Sequence, residues 1–344
     1  MKRFKIAVLC GGNSEERMVS LASAAMTVPV LRSMGHTVQV VDLGYGLLSE
    51  ADEKERLASP DTWQSMGEGI ALPDKASSIT SFFSGNAAAF DLVFMALHGG
   101  TGEDGTIQAA LDLMKIPYTG SGHAASALCM DKDLTKRLLR FAGICTPDWT
   151  LLKRDSDFSV RDFDYPVVVK PNRQGSTVGL SIVLDAAKLN AAVEHAFRFD
   201  TEVLVEQFIA GREFTVGILD GRPLTVGEIH IDADSVFGYE QKYRPGAVVE
   251  QFPAEIAPTL AAEIRDAGLE AHRVLKLDDY SRADFRLDSA GRLWLLEVNS
   301  LPGLTRTSLL PQSAQASGIH FPKLCESLCQ LAMRRTAGTR RETA

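Results

Sequence analysis

Apolar residues in this chain come in short runs, each closed by glycine, proline or a polar cluster. Residues 4–10 (FKIAVLC) and 37–43 (TVQVVDL) are runs of strand length. Between them lie a Gly-led turn, GGNSEERMVS, and a helical pattern, LASAAMTVPVLRSMG, with a glycine stop. A third run, DLVFMAL at 91–97, leads through HGGTGEDG into the helix TIQAALDLMK and the short IPYTG. Strands alternating with helices predict a parallel sheet covered by helices. Residues 48–88 are polar and irregular; they predict a helix or two and no chemistry.

From 121 to about 150 the pattern is helical, with MDKDLTKRLLRFAGICTP inside it. A strand, PVVVK, then ends at Lys170 and is followed by the polar loop PNRQGSTVGL, the strand SIVL, the helix DAAKLNAAVEHAFRF and the strand EVLVEQFI. Beyond 211 strands dominate, EFTVGIL and PLTVGEIHI, with one inserted helix, PTLAAEIRDAGLEAHRVLKL. The tail after 335 is expected to be disordered.

One hairpin breaks the apolar pattern. ADFRLD and RLWLLEVN flank Ser289-Ala290-Gly291, a loop that suits antiparallel strands. Side chains alternate along a strand, so Glu297 and Asn299 share a face. With Asp288 opposite Leu293, Asp284 falls opposite Glu297 and Arg282 opposite Asn299. Like charges placed opposite each other destabilise a sheet. Two carboxylates and an amide are hard donors that suit Mg²⁺, which bound in this way also holds substrate phosphates. A solvated sheet face with scattered charges is the alternative.

Composition narrows the class. The 344 residues are 45% hydrophobic and 23% charged, an ordinary globular make-up with room for two or three domains. A net charge of −8 argues against nucleic acid as a partner. The N-terminal run IAVLC is too short for a signal peptide, and no run approaches the ~20 apolar residues of a membrane helix. Five scattered cysteines suggest reduced thiols in the cytoplasm, and Cys325 and Cys329, four apart, read as buried helix residues.

Further chemistry clusters at strand ends. Lys170 precedes a Gly/Ser/Thr loop able to hold phosphates, although no Walker A motif is present and an exposed cap would look the same. Lys132 in MDKDLTK is either another phosphate ligand or a solvated helix residue. His98, Glu103 and Asp104 occupy a Gly-rich loop at a strand's C-terminal end, where open α/β sheets bind ligands; a turn with solvated acids is the alternative.

Together, GGNSEERMVSL, LHGGTGEDGTIQ, IPYTGSG, ASALCMDKDLTK, VVVKPNRQGSTVGLS, VEQFIAGREFTV, YEQKY and RADFRLDSAGRLWLLEVNSLPGLTRTSLLP resemble the D-alanine–D-alanine ligases. They run in that family's order from residue 11 to 311 and are specific as a set. The resemblance implies an α/β ATP-grasp fold of three subdomains: 1–120 on the substrate side, then 121–205 and 206–335 clasping ATP, with 336–344 a tail. It implies ATP-dependent joining of two D-alanines through an acyl phosphate, for peptidoglycan precursors, by a cytoplasmic homodimer.

Residue by residue, the resemblance assigns ATP phosphates to Lys132 and Lys170, adenine to Glu206 and the backbone near Ile209, ribose to Glu213, and further ATP contact to Lys242. Asp284, Glu297 and Asn299 would bind two Mg²⁺ ions, with Mn²⁺ as an alternative. Glu16 would anchor the first D-alanine's ammonium, beside His98. Arg282 and the N–H of Gly303 would stabilise the tetrahedral oxyanion, and Ser308 and Leu309 would meet the second amino acid. Ser176 and Tyr243 would join Glu16 in a triad that closes a loop; relatives that make D-alanyl-D-lactate lack the tyrosine. Met18, Ala24, Gln174 and Gly238 depart from the family pattern, none of them in the metal or phosphate set. Ligation of other amino or hydroxy acids, and a catalytically silent nucleotide binder, are the competing functions.

Overall fold

The computed structural model describes residues 2–58, 82–83, 87–154, 164–230 and 249–342. In chain order its main elements begin with β1 (Lys5–Cys10), α1 (Arg17–Ser33), β2 (Thr37–Asp42), β3 (Gly46–Leu47), α2 (Glu50–Arg56), β4 (Leu92–Met95), α3 (Thr106–Leu113), α4 (His123–Met130) and α5 (Lys132–Phe141). There follow β5 (Trp149–Lys153), β6 (Val167–Pro171), β7 (Ser181–Val183), α6 (Leu189–Ala196), β8 (Glu202–Gln207), β9 (Arg212–Leu219), β10 (Arg222–Pro223) and β11 (Gly227–His230). The chain continues with β12 (Val249–Gln251), α7 (Pro258–Val274), β13 (Tyr280–Leu287), β14 (Leu293–Asn299), α8 (Leu309–Ala316) and α9 (Phe321–Glu342). It divides into two compact units: Met1–Ser126 with Asp278–Tyr280 and Ser300–Ala344, and Ala127–Leu277 with Ser281–Asn299.

The first unit carries a sheet of order β3-β2-β1-β4. β1 pairs parallel with both β2 and β4, as the alternating pattern predicts. Ile6 to Cys10 are wholly buried, which is why β1 is apolar without a polar face. Helix α1 starts at Arg17, four residues before the expected start at Leu21. The polar residues of its first turns are accommodated by bonding: buried Ser20 accepts from Gly11 N and donates to Ala96 O. In α9, buried Leu324, Cys325, Leu328, Cys329 and Ala332 form one stripe at helical spacing. The expected disorder after 335 is corrected, since that stripe anchors a helix that continues to Glu342.

The second unit holds two sheets, β5-β8-β6-β7 and β12-β11-β9-β13-β14 with β10 against β9. β5, where no strand was expected, pairs antiparallel with β8 after α5 has ended at Phe141 and Gly143, at φ 81°, has turned the chain. In the first of these sheets Val167, Val169, Val203 and Val205 pack with Val193, Ala196 and Phe197 of the α6 region. Each buried valine contributes roughly 1.5–3 kcal/mol. Pleating turns the alternate residues Val168, Lys170, Leu204 and Glu206 to the opposite face. No helix among the described residues is long and apolar enough to cross a membrane.

Candidate active site

That opposite face forms one wall of a cleft with some 810 Å³ of empty space, part of it open to solvent. Within the ladder Val168 stands across from Glu206, and Lys170 across from Leu204. The second sheet supplies another wall: Glu213 from β9, and Asp284, Arg286, Leu296 and Glu297 from β13 and β14. Lys132, at the start of α5, and Gln174, Thr177 and Val178 of the polar loop complete the lining with Phe208 and Ile209. The cleft thus gathers Lys132, Lys170, Glu206, Ile209, Glu213, Asp284 and Glu297 within a single unit.

The hairpin that carries the acids has the expected register at one end only. Arg282 pairs with Asn299 and Asp284 with Glu297, but Leu287 rather than Asp288 faces Leu293. A bulge between Asp284 and Phe285 takes up the extra residue, and it directs the consecutive residues Leu296 and Glu297 both to the cleft. At the turn, Asp288 accepts from Ala290 N, Arg292 N and Trp294 Nε1, and Gly291 has φ 77°. Those bonds secure the shifted register.

Asp284 is 6% exposed and heavily bonded. Arg282 donates to it through Nε at 2.9 Å and Nη2 at 2.7 Å, Thr215 Oγ1 at 2.7 Å and Asn299 Nδ2 at 3.3 Å. No group of three or more His, Cys, Asp or Glu side chains suited to a metal occurs among the described residues. Two carboxylates and an amide are too few for a cage made of protein alone. They fit a hard cation whose remaining ligands are water and phosphate oxygens, the way Mg²⁺ is ordinarily held.

A different arrangement surrounds Glu206. Its Oε2 accepts from Lys136 Nζ at 2.9 Å and its Oε1 from Lys170 Nζ at 2.5 Å. Lys136 also donates to Thr146 Oγ1 at 2.9 Å. Burial pushes the Lys136 ammonium down to about 8, against the opposing pull of Glu206. Burial by itself would raise the Glu206 carboxyl, but Lys136 and Lys170 outweigh it and hold it below the usual range. Glu213 is met by Arg286, whose Nε donates to Oε2 at 3.0 Å.

The polar loop is fastened at its start. Arg173 pairs with Asp131 at 2.9 Å and Glu202 at 2.5 Å, and Lys132 Nζ donates to Gln174 O at 2.5 Å. Its tip places Ser176 and Thr177 at φ 48° and 61°, a region costly for residues other than glycine. Gly179 is required there, because a Cβ would stand 2.6 Å from Phe199 and 2.8 Å from Pro171.

In the first unit a second cluster forms. Glu16, 5% exposed, precedes α1 and makes no capping bond with its side chain. Gly99, at φ 63°, lets the His98–Gly99 backbone pass so close that a Cβ would stand 2.7 Å from Glu16 Oε2. His98 Nε2 lies 3.0 Å from Ser23 Oγ, which accepts from Leu304 N at 3.2 Å. A Cβ on Gly303 would meet Ser308 Oγ at 2.7 Å, and Ser308 Oγ accepts from Thr305 N at 3.0 Å. Leu309 opens α8 and is buried. Glu16, His98, Gly303, Ser308 and Leu309 therefore belong to one unit.

Tyr243 and Lys242 lie outside the described residues. Lys136, Thr215 and Arg286 were not anticipated. Helical spacing already offered Lys136, four residues from Lys132. Strand alternation likewise offered Arg286, two residues beyond Asp284.

The family models described as D-ala D-ala ligase N-terminus and C-terminus match residues 5–121 and 138–330. The chain is 40% identical over 332 residues to a D-alanine–D-alanine ligase of Citrifermentans bemidjiense, spanning 96% of this chain and 97% of that one. It is 38% identical over 328 residues to one of Syntrophotalea carbinolica, spanning 95% and 96%. Among solved structures it is similar to a D-alanine–D-alanine ligase from Bacillus anthracis complexed with ATP, with a TM-score of 0.78 and 31% identity over 98% of this chain and 99% of that one.

Proposed function

The chain belongs to the D-alanine–D-alanine ligase family, and from that membership we propose how its residues join two D-alanines at the expense of ATP. The observation that carries the proposal is the cleft, where the nucleotide and carboxylate residues implied by the resemblance line one space. Lys132 and Lys170 hold the phosphates, Glu206 and the Ile209 backbone the adenine, and Glu213 the ribose. Asp284, Glu297 and Asn299 hold two Mg²⁺ ions, or Mn²⁺ in their place. Bound there, they would supply positive charge to offset that of the phosphates.

A carboxylate is a poor acyl donor. In the proposed reaction an oxygen of the first D-alanine's carboxylate attacks the γ-phosphorus of ATP, ADP leaves, and an acyl phosphate forms. Glu16 and His98 orient this D-alanine, Glu16 through its ammonium. The amine of the second D-alanine, placed by Ser308 and Leu309, loses a proton and attacks the carbonyl carbon. Arg282 and Gly303 N–H stabilise the oxyanion, and phosphate leaves with the former carboxylate oxygen. Ser176 and Tyr243 favour amine over hydroxyl as acceptor and help exclude water, which would hydrolyse the acyl phosphate.

A homodimer, residence in the cytoplasm, a role in peptidoglycan precursor supply and the division at residues 120 and 205 are parts of the same proposal, supported by family membership. Phosphate release measured against D- and L-amino acids and D-hydroxy acids tests it. Release with D-alanine and formation of the dipeptide are expected. Preference for another acid would replace the substrate assignment.

A further inference from the structure

Arg286 is fully buried, lines the cleft, and has no part in the chemistry above. It stands on β13, on the face that carries Asp284. Its bonds run to the turn between β8 and β9 and to the start of β9. Nε and Nη2 meet Glu213 Oε2 at 3.0 and 2.9 Å, and Nη1 donates to the carbonyls of Ile209 at 3.3 Å and Gly211 at 3.2 Å. The guanidinium carbon lies 5.8 Å from the centre of the Phe208 ring.

Burying a guanidinium is costly, and an apolar side chain of similar volume often does as well for stability. The bonds made here indicate what the charge does instead. Two contacts on one carboxylate oxygen fix where Glu213 Oε2 stands. Two bonds to carbonyls fix the turn that contains Ile209. The same turn is pressed against β13 at Gly211, where a Cβ would stand 2.0 Å from Leu287 O.

We propose that Arg286 is a positioning residue for nucleotide recognition, setting the Glu213 carboxylate for the ribose and the turn at Ile209 for the base. This rests on the proposed function for the identity of the nucleotide, but its nucleotide arm is read by binding alone, so a chain that binds ATP without making dipeptide still decides that arm. Calorimetry with Mg²⁺ and ATP, or 2′,3′-dideoxy-ATP, is run on the wild type, Arg286→Met and Arg286→Lys. The wild type should prefer ATP by about tenfold or more, the worth of a hydrogen bond to a charged group. Both variants should bind ATP at least about tenfold more weakly and lose most of that preference, since lysine cannot reproduce the fork. KM for D-alanine should stay within about twofold of wild type, as expected when only binding of the other substrate is lost. An undiminished preference for the intact ribose, or equal losses for ATP and D-alanine, would overturn the proposal. Should the methionine variant fail to fold, the lysine variant, which keeps a cation beside Glu213, decides alone.

Discussion

The two ends of the cleft differ in how their carboxylates are set. At one end Glu206 is gripped by Lys136 and Lys170, and Glu213 by Arg286, so cations of the chain itself meet both acids. At the other, Asp284 and Glu297 face each other across the hairpin and Arg282 bonds Asp284. The first end is organised by the protein alone. The second has a donor set that suits a cation arriving with phosphate. Acids set among the chain's own cations suit a fixed contact, whereas two acids set opposite each other suit a cation that arrives with its ligand.

The largest effect is expected where the cation enters. Glu297→Gln should lower kcat by about a thousandfold or more and raise the Mg²⁺ requirement while leaving the melting temperature within a few degrees. Near-normal kcat at ordinary Mg²⁺ would remove the distinction between the two ends. Next comes the first unit. Glu16→Ala should raise KM for the first D-alanine about a hundredfold, the worth of a charged hydrogen bond, with KM for ATP nearly unchanged. Equal changes in both constants would make Glu16 structural.

These residues were legible to different degrees. Asp284, Glu297 and Asn299 were readable because alternation fixes which strand residues share a face, and the register at Asp284 and Glu297 is the one expected. The bulge was not readable, since alternation along each strand does not reveal where an extra residue sits. The parallel first sheet followed from its apolar runs. β5 did not, because WTLLK is too short and too mixed to separate from the end of a helix. Lys136 was not singled out, because its partner Glu206 is 70 residues away in sequence. Glu16, Gly303 and Ser308 carried no pattern of their own and were assigned only through the family resemblance.

A smaller effect tests the self-sufficient end. Lys136→Met leaves half of the Glu206 carboxylate buried without its cation, and should cost about 3 kcal/mol of stability, the low end for a broken buried pair because Lys170 remains, with a several-fold rise in KM for ATP. Adding Glu206→Gln should recover much of the stability, though not the ATP affinity. An additive loss would show that the two side chains do not act as a pair.

The smallest effect is a pH dependence. The Lys136 pKa is about 8 in the folded protein against 10.5 for the unperturbed group. Between those values the unfolded chain holds a proton that the folded one has released, so folding stability gains as pH rises. The melting temperature of the wild type relative to Lys136→Met should therefore climb by about a few degrees from pH 8 to pH 10. A flat or falling difference would mean that Lys136 is not depressed by burial.

The most direct test of the reaction follows an oxygen atom. When D-alanine labelled with ¹⁸O in both carboxylate oxygens is turned over with ATP and Mg²⁺, mass spectrometry of the released phosphate reads whether a carboxylate oxygen has reached phosphorus. An acyl phosphate requires one labelled oxygen in each phosphate, with one dipeptide formed per ADP. Unlabelled phosphate, or phosphate released without dipeptide, would contradict the account.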